Sequence, residues 1–478
     1  MIVRENPSRS SEVVGQVEVA CPATVDRVVR RAEAAYRRWS ATTIDERLAA
    51  LRAGADALTA RIDDLAVLLA RESGKVRADS AGELGFSATY LRWVTAHAGA
   101  VLADDEVDDA AGRLILRRRP FGVIAAVTPW NAPIILAMLK IGPALAAGNT
   151  MVVKPSPLAP LTISAVVEIL SAHLPADVLQ VVHGDAEAGA ALVGHELVAK
   201  VAFTGGGAAA RHVAAQAATR TTPTVLELGG NDPAVFLPDA DLSPTAMERL
   251  VMASFATSGQ VCMAAKRLYV PDSRHDEFVE AYVAAAGRVL RTGDALADGV
   301  TMGPMINAAS VARVEALVAA AVADGARALP LGRTDPGTDL DDGYFLTPTL
   351  LVDVPEQAAV VGEEQFGPTV PLLRYTDVED VLARANAGEL GLGASVWSAD
   401  EERAVDFARR FEAGFVFVNT HNRTGLTLRA PFGGVKRSGY GREYGEEGLR
   451  EYAQTCVIHA PAAFRPGGTA LAANAYPA

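Results

Sequence analysis

The chain has 478 residues, half of them hydrophobic, and a formal net charge of −13. A chain of this length is too long for one hydrophobic core, so we expect two or three domains. The high apolar fraction predicts a folded chain without general disorder. The acidic balance disfavours nucleic-acid binding, because proteins that bind phosphate backbones carry clustered Lys and Arg. The short basic run at 117–119 adjoins apolar residues and is better explained as a solvated face.

The three cysteines, Cys21, Cys262 and Cys456, form no CxxC pair. We therefore predict neither a disulfide framework nor a metal site, and their number fits a reducing compartment. The first residues lack the apolar segment of a signal peptide, and prolines and Lys140 interrupt the most apolar stretch, 121–148. These features predict a cytoplasmic protein that does not span a membrane.

The chain opens with a helical pattern. Apolar residues recur at helical spacing from Val25 to Tyr36. Thr43 and Glu46 then form a capping-box signature ahead of an apolar stripe, for which Gly74 is a plausible stop. We therefore expect two amphipathic helices in this region.

From about residue 120, short apolar runs alternate with helical patterns. The predicted strands are Val123–Val127, Thr150–Val153, Val178–Val182, Val198–Phe203 and Val225–Leu228, and the predicted helices are Pro133–Ala147, Leu161–Leu174, Glu187–Val193 and Gly207–Ala218. This alternation predicts a parallel α/β sheet, with sites beyond the carboxyl ends of its strands.

A second α/β pattern begins near Asn231. Its predicted helices are Pro244–Ala256 and His275–Leu290, and its predicted strands lie near Leu350 and at Ala394–Trp397. The Gly/Asp-rich segment Gly332–Gly343 is predicted to be a surface loop. The last residues, from about 463 to 478, show no periodicity and are expected to form a flexible tail.

Polar residues follow several of the predicted strands. Asn131 could donate its amide N–H to a developing oxyanion, or it could simply cap a helix. Lys154 could reach a ribose or a phosphate, or it could be a surface lysine. The Gly-rich turn 203–207 would let backbone amides approach a phosphate, although a bare Gly triplet is weak support. The acidic-aromatic turn 362–368 could bind a sugar hydroxyl and stack on a ring, or it could simply be a loop.

Cys262 and Glu227 are the two residues that say most about a possible reaction. An ionised thiol is a good nucleophile, and a carboxylate can deprotonate either the thiol or an attacking water. A lone cysteine is more often an inert small hydrophobe, and a lone glutamate is usually solvated. The function of the pair therefore depends on its surroundings.

The motifs occur in an order that resembles the NAD(P)-dependent aldehyde dehydrogenase superfamily over residues 1–460. They are Asn131, Lys154-Pro155, Phe203-Thr204-Gly205, Glu227-Leu228-Gly229-Gly230, Gly259-Gln260-Val261-Cys262, Glu364-Gln365-Phe366-Gly367-Pro368 and Pro431-Phe432-Gly433-Gly434. The resemblance implies three parts: a Rossmann-type parallel-sheet cofactor domain (1–111 and 121–229), an α/β catalytic domain (230–451) and a small β oligomerisation arm (112–120 and 452–462). It also implies a homodimer or a homotetramer.

The resemblance assigns three catalytic roles. Cys262 would attack the aldehyde to give a thiohemiacetal, and Asn131 would hold its oxyanion together with the backbone N–H of Cys262. Hydride transfer would leave a thioester, which water activated by Glu227 would hydrolyse. Lys140 would lie near the proton path, unless it is a lysine that snorkels to the surface.

The resemblance also implies the cofactor site. The residues that would contact NAD or NADP are Trp130, Lys154, Ser156, Thr204, Gly205, Gly206, Leu228, Glu364 and Phe366. Lys154 and Glu364 would hydrogen-bond the two riboses. Pro157 stands where the family often has a glutamate that repels a 2′-phosphate, so both cofactors remain open, with NAD slightly favoured. Gly206 replaces a common serine, which shifts pyrophosphate binding towards backbone donors.

The substrate is predicted from the walls of the implied tunnel. Ala132, Ile135, Leu136 and Leu139 would make one side apolar, which favours a medium-sized apolar or aromatic aldehyde. Arg423 could anchor the carboxylate of a semialdehyde, or it could be a rim-exposed arginine. The alternatives are therefore a semialdehyde dehydrogenase, a CoA-acylating enzyme, which the presence of Glu227 disfavours, and a catalytically silent relative with a binding or structural role.

Overall fold

A computed structural model describes residues 1–464 of the chain. The first half has the elements β1 (Ile2–Asn6), β2 (Arg9–Val17), α1 (Pro22–Trp39), α2 (Ile44–Thr59), α3 (Ile62–Ser73), α4 (Arg77–Val101), β3 (Asp105–Asp109), β4 (Gly112–Pro120), β5 (Val123–Thr128), α5 (Pro133–Ala146), β6 (Thr150–Pro155), α6 (Leu161–Ser171), β7 (Leu179–Val181), α7 (Ala186–Val193), β8 (Val198–Thr204), α8 (Gly207–Ala218) and β9 (Thr224–Glu227). The predicted alternation after residue 120 is confirmed.

The second half repeats the alternation with shorter elements. They are β10 (Asp232–Phe236), α9 (Pro244–Phe255), β11 (Ala265–Pro271), α10 (His275–Val289), β12 (Arg291–Thr292), α11 (Ala308–Ala323), β13 (Arg327–Pro330), β14 (Arg333–Thr334), β15 (Thr349–Val352), α12 (Ala359–Gly362), β16 (Thr369–Tyr375), α13 (Val378–Asn386), β17 (Leu390–Gly391), β18 (Gly393–Trp397), α14 (Glu401–Ala408), β19 (Phe415–Val418), β20 (Val435–Lys436), β21 (Gly439–Tyr440), α15 (Gly445–Arg450) and β22 (Ala453–Pro461).

Two large sheets organise the molecule. The first has the order β21-β9-β8-β5-β6-β7, in which the strands from β9 to β7 are parallel and β21 pairs antiparallel with β9. The second has the order β13-β15-β16-β11-β10-β18-β19 and is parallel apart from its edge strand β13. Helices cover both sheets and bury apolar cores on both faces. The predicted α/β class with parallel sheets is therefore confirmed.

The two sheets place the chemical motifs at opposite strand ends. Strands β5, β6, β8 and β9 belong to one sheet, and the motifs of the first half lie at or just after their carboxyl ends, as expected for a parallel sheet. Cys262 instead precedes β11, and the turn 364–366 precedes β16. The carboxyl edge of the first sheet therefore meets the amino edge of the second across the site.

The N-terminal third differs most from the sequence prediction. The predicted second helix is divided into α2 and α3 at Ala60 and Arg61, although its capping box at Thr43 and its left-handed cap at Gly74 are both present. Both helices pack against α6, whereas α2 also packs against α5 and α3 also packs against β1. The hairpin of β1 and β2 and the 25-residue helix α4 were not predicted.

A third sheet has the order β22-β4-β3 and is antiparallel. Strand β4 pairs with β22 over their full lengths, and Val107, Val457 and Ile458 remain exposed on this sheet.

The predicted tail beyond residue 464 lies outside the described residues. Within residues 1–464, the structure contains no helix that is both long and apolar enough to cross a membrane.

Candidate active site

Two cavities meet beside Cys262. The first, which we call the tunnel, has a volume of about 310 Å³, and its apolar wall includes Phe86, Ala132, Ile135, Leu136, Leu139, Val261, Met263, Leu426 and Phe432. The second, which we call the cleft, is lined by Trp130, Lys154, Ser156, Gly205, Gly206, Glu364 and Phe366. Asn131, Thr204, Leu228 and Cys262 line both cavities, and Glu227 lines the tunnel. The fold thus brings all twelve predicted site residues together.

Cys262 follows a constrained turn. Thr257, Ser258 and Gly259 all have positive φ angles, a backbone region that costs free energy for the two residues with a Cβ atom. The Ser258 hydroxyl stabilises the turn by donating to the carbonyl oxygens of Gly303 (2.7 Å) and Pro304 (3.1 Å). Surrounding contacts therefore hold in place the turn that leads to Cys262.

Burial raises the pKa of the Cys262 thiol, and the negative charges of Glu364 and Asp232 raise it further. The resting thiol is therefore protonated at neutral pH. Because the thiolate is the nucleophile, a proton acceptor is needed when Cys262 reacts.

Asn131 lies after β5 and is buried next to the Cys262 turn. Its side-chain amide donates one hydrogen to the carbonyl oxygen of Gln260 at 3.0 Å. The Gln260 side chain is itself fixed, since its oxygen accepts the backbone N–H of Ile306 at 3.0 Å. A second amide hydrogen of Asn131 is left for another acceptor in the tunnel. The helix-cap alternative is not supported, because Asn131 caps no backbone amide of α5.

Glu227 ends β9 and is buried, and its Oε1 atom has no hydrogen-bond partner among the described residues. Burial raises the pKa of this carboxyl well above its usual range, and the nearby charge of Glu443 adds to the shift. An orphaned buried carboxyl is costly, which makes it a candidate for a role with water or substrate.

Lys140 lies behind Glu227 and is fully buried, so the snorkelling alternative is wrong. Its ammonium donates to Glu443 Oε1 (2.5 Å) and to the hydroxyl of Thr204 (2.7 Å). The positive charge of Lys140 partly offsets the rise in the pKa of Glu227. Lys140, Thr204 and Glu443 therefore form a polar network at the inner end of the tunnel.

The cleft contains polar groups with unused hydrogen-bonding capacity. Burial lowers the pKa of Lys154 to about 8, and its ammonium donates to the carbonyl oxygen of Pro155 at 3.0 Å. Lys154 is buried, so the surface-lysine alternative is wrong. Burial raises the pKa of Glu364 to about 7, and its carboxyl accepts the backbone N–H of Gly230 at 3.2 Å. Lys154 can donate two further hydrogens to a ligand.

The cleft also fits the other parts of a dinucleotide. Helix α8 begins at Gly207, and neither Gly206 nor Gly207 has an atom within 4 Å of where a Cβ would lie, so the helix N-terminus is open to a phosphate. Trp130 and Phe366 pack edge to face, with ring centroids 5.5 Å apart. Together with the Cys262 thiol beside the cleft, these features indicate a dinucleotide-dependent oxidoreductase.

The side of the tunnel formed by α4 was not predicted from the sequence. Glu83 accepts the backbone N–H groups of Ile134 (2.8 Å) and Ile135 (3.2 Å), which caps α5, and it also forms a buried ion pair with Lys75. No local pattern predicts these contacts, because α4 and α5 are distant in sequence and the apolar residues of α4 are not confined to one face.

Comparisons with known proteins agree with this class. A sequence model described as the aldehyde dehydrogenase family matches residues 2–458. Glutarate-semialdehyde dehydrogenase of Pseudomonas putida is 39% identical over 452 residues, which are 94% of this chain and 92% of the relative. Succinate-semialdehyde dehydrogenase (NADP(+)) of Escherichia coli is 40% identical over 426 residues, which are 88% and 86% of the two chains.

The structural comparison gives the same result. The crystal structure of betaine aldehyde dehydrogenase from Staphylococcus aureus in complex with NAD+ has a TM-score of 0.90 and 30% identity, and the match covers 96% of this chain and 91% of that one. The chain therefore belongs to the aldehyde dehydrogenase family and is an oxidoreductase that uses NAD or NADP to oxidise the aldehyde group of its substrate.

Proposed function

We propose that this protein oxidises uncharged, medium-sized apolar or aromatic aldehydes to carboxylic acids. The observation that carries the proposal is that both positively charged side chains in the tunnel wall already form ion pairs. Within the described residues these are Lys75, which pairs with Glu83, and Arg423, which pairs with Asp79. A substrate carboxylate would therefore enter an apolar tunnel without an unpaired cation, which costs desolvation free energy.

The proposed reaction begins when the Cys262 thiol gives its proton to water and its sulfur adds to the aldehyde carbon. The free amide hydrogen of Asn131 and the backbone N–H of Cys262 stabilise the oxyanion that forms. NAD or NADP supplies the hydride acceptor when bound. The acyl group then remains on Cys262 as a thioester.

Glu227 is the proposed base of the second step. Its carboxylate takes a proton from water, and the resulting hydroxide displaces the thiolate of Cys262 to give a carboxylic acid. The buried pair of Lys140 and Glu443 borders this water site and keeps the local charge balanced. The orphaned oxygen of Glu227 is the structural feature that supports this role.

For the cofactor we propose that Lys154 and Glu364 bind the two riboses while Trp130 and Phe366 position the cofactor. Backbone donors at the start of α8 bind the pyrophosphate, and the remaining contacts come from Ser156, Thr204, Gly205, Gly206 and Leu228. Pro157 also lines the cleft and carries no charge, so we expect both NAD and NADP to be used.

A semialdehyde is the second candidate substrate. The relatives from P. putida and E. coli bear the names of semialdehyde dehydrogenases, and Arg423 lies in the tunnel wall. To test this, the oxidation of hexanal, benzaldehyde and succinate semialdehyde is measured by NAD(P)H absorbance. Each aldehyde is assayed with NAD and with NADP, in the absence of CoA. We expect higher kcat/KM for the uncharged aldehydes. A higher value for the semialdehyde would reverse the substrate proposal, and a strict need for CoA would refute hydrolysis by Glu227.

We also propose that the third sheet is an oligomerisation arm and that residues 1–111 with 121–229, and 230–451, are the cofactor and catalytic domains. The exposed apolar residues Val107, Val457 and Ile458 support the arm, since apolar patches often mark interfaces. Light scattering should give the mass of a homodimer or a homotetramer, and the double substitution Val457→Asp/Ile458→Asp should lower that mass. A wild-type monomer would contradict this part of the proposal.

A further inference from the structure

We infer that Asp79 and Arg423 form a specificity-determining pair at the open end of the tunnel, in which Asp79 withholds the guanidinium from an anionic substrate. The inference rests on the proposed function and extends it, because it assigns the discrimination against carboxylated aldehydes to two residues. The remainder of the tunnel then selects apolar substituents.

The geometry of the pair places it at the tunnel mouth. One Arg423 nitrogen, Nη2, donates to both carboxylate oxygens of Asp79 at 3.2 Å. The Arg423 side chain lines the tunnel and is 43% exposed, whereas the Asp79 side chain is 19% exposed. On α4, Gly82 and Phe86 lie one and two turns beyond Asp79 and also line the tunnel. One face of α4 therefore leads from the ion pair towards the interior.

The backbone around Arg423 is held by hydrogen bonds, which fixes the point from which the arginine side chain extends. Asn422 is buried and has a φ of 62°, and its side chain donates to the carbonyl oxygen of Ala253 at 3.0 Å. The same side chain accepts the backbone N–H of Arg423 at 2.8 Å. The arginine side chain is long and can turn towards a new anion from this fixed point.

The second cation of the tunnel wall cannot take this role. Lys75 is buried and forms its ion pair with Glu83, whose other oxygen caps α5. Removing a partner from a buried pair is strongly destabilising, whereas a partly exposed pair can be opened at small cost. Arg423 is therefore the tunnel cation that becomes available when its partner is neutralised.

The test uses Asp79→Asn in the full-length enzyme, with succinate semialdehyde and butanal as probes of the same carbon number. The quantity measured is the kcat/KM for the semialdehyde divided by the kcat/KM for butanal. We expect this ratio to rise about tenfold, mainly through a lower KM for the semialdehyde, which is the size of one partly screened charge-assisted hydrogen bond. The rise should shrink at high salt, because the mouth is partly exposed.

Two further variants separate this effect from others. Asp45→Asn removes the same charge from the first turn of α2, away from the tunnel, and should leave the ratio unchanged. The double variant Asp79→Asn/Arg423→Gln should lose the gain. An unchanged ratio in Asp79→Asn, or a gain that persists in the double variant, would overturn the inference.

The test distinguishes a failure of this inference from a failure of the proposed substrate class. If the wild-type enzyme prefers semialdehydes, the substrate proposal fails, yet the change in ratio on neutralising Asp79 still reports whether the pair controls specificity. If the wild-type enzyme prefers uncharged aldehydes and Asp79→Asn does not alter the ratio, the inference fails alone.

Discussion

The tunnel and the cleft share Cys262 but differ in how their positively charged groups are partnered. In the cleft, Lys154 and the N-terminus of α8 have hydrogen-bonding capacity to spare. In the tunnel wall, Lys75 and Arg423 are already paired with carboxylates, and the remaining surface is mostly apolar. The cleft can therefore bind a polar ligand by direct hydrogen bonds, whereas the tunnel selects by shape and apolar contact.

This difference separates the choice of cofactor from the choice of aldehyde. Changes in the cleft should alter the KM of the cofactor, and changes in the tunnel should alter the KM of the aldehyde. Changes at the junction should alter the chemistry itself.

The largest expected effect comes from Cys262→Ser at the junction. Loss of a covalent nucleophile should lower kcat by roughly 10³-fold or more, because the serine hydroxyl is a poor nucleophile without a matched base. Steady-state NAD(P)H formation measures this loss. Cofactor binding followed by fluorescence, and the melting temperature, should stay near the wild-type values; retained oxidation would refute the assignment.

Glu227→Gln should lower steady-state kcat by about 10²- to 10³-fold, since the variant lacks the base for hydrolysis. A rapid burst of NAD(P)H should remain, because the thioester still forms. In a stopped-flow experiment, loss of the burst together with the steady-state rate would instead place Glu227 in the first step.

The raised pKa of Glu227 also predicts the pH profile of the wild-type enzyme. Only the ionised carboxylate can accept a proton from water, so hydrolysis should accelerate as the pH rises through that raised pKa. Below it the protonated acid is inactive. A profile of kcat without this rising limb, under conditions where hydrolysis limits the rate, would argue against Glu227 as the base.

Lys154→Ala tests the cleft alone. Removal of a buried charged donor should raise the cofactor KM about 10- to 100-fold while leaving the KM of the aldehyde near its wild-type value. Initial rates at saturating aldehyde, with NAD and then NADP, measure the effect. An equal rise in both KM values would show that the two cavities are not independent.

Phe86→Ala tests the tunnel alone and should have the smallest effect. Loss of apolar contact should raise the KM for benzaldehyde about fivefold, with the cofactor KM unchanged. Val283→Ala, at an exposed position on α10, serves as a matched control for side-chain truncation. Equal KM values for benzaldehyde in Phe86→Ala and the wild type would remove Phe86 from the substrate wall.

The residues of the cleft were easier to predict from the sequence than those of the tunnel, and the reason is physical. Each cleft motif is a local turn next to a strand, where the alternating pattern and the residue types indicate both structure and chemistry. The tunnel depends on contacts between distant segments, such as Arg423 with Asp79 and Glu83 with α5. The break at Ala60 also escaped prediction, because the apolar stripe runs on across it while packing partners divide the helix.

The most direct test of the account is the mass of the Cys262 peptide in Glu227→Gln after brief mixing with hexanal and cofactor. We predict that most of this peptide carries a hexanoyl group and that an equal amount of NAD(P)H has formed. The adduct should be absent when cofactor is omitted. NAD(P)H formation without acylated Cys262, or an acyl group on another residue, would contradict the proposed thioester pathway.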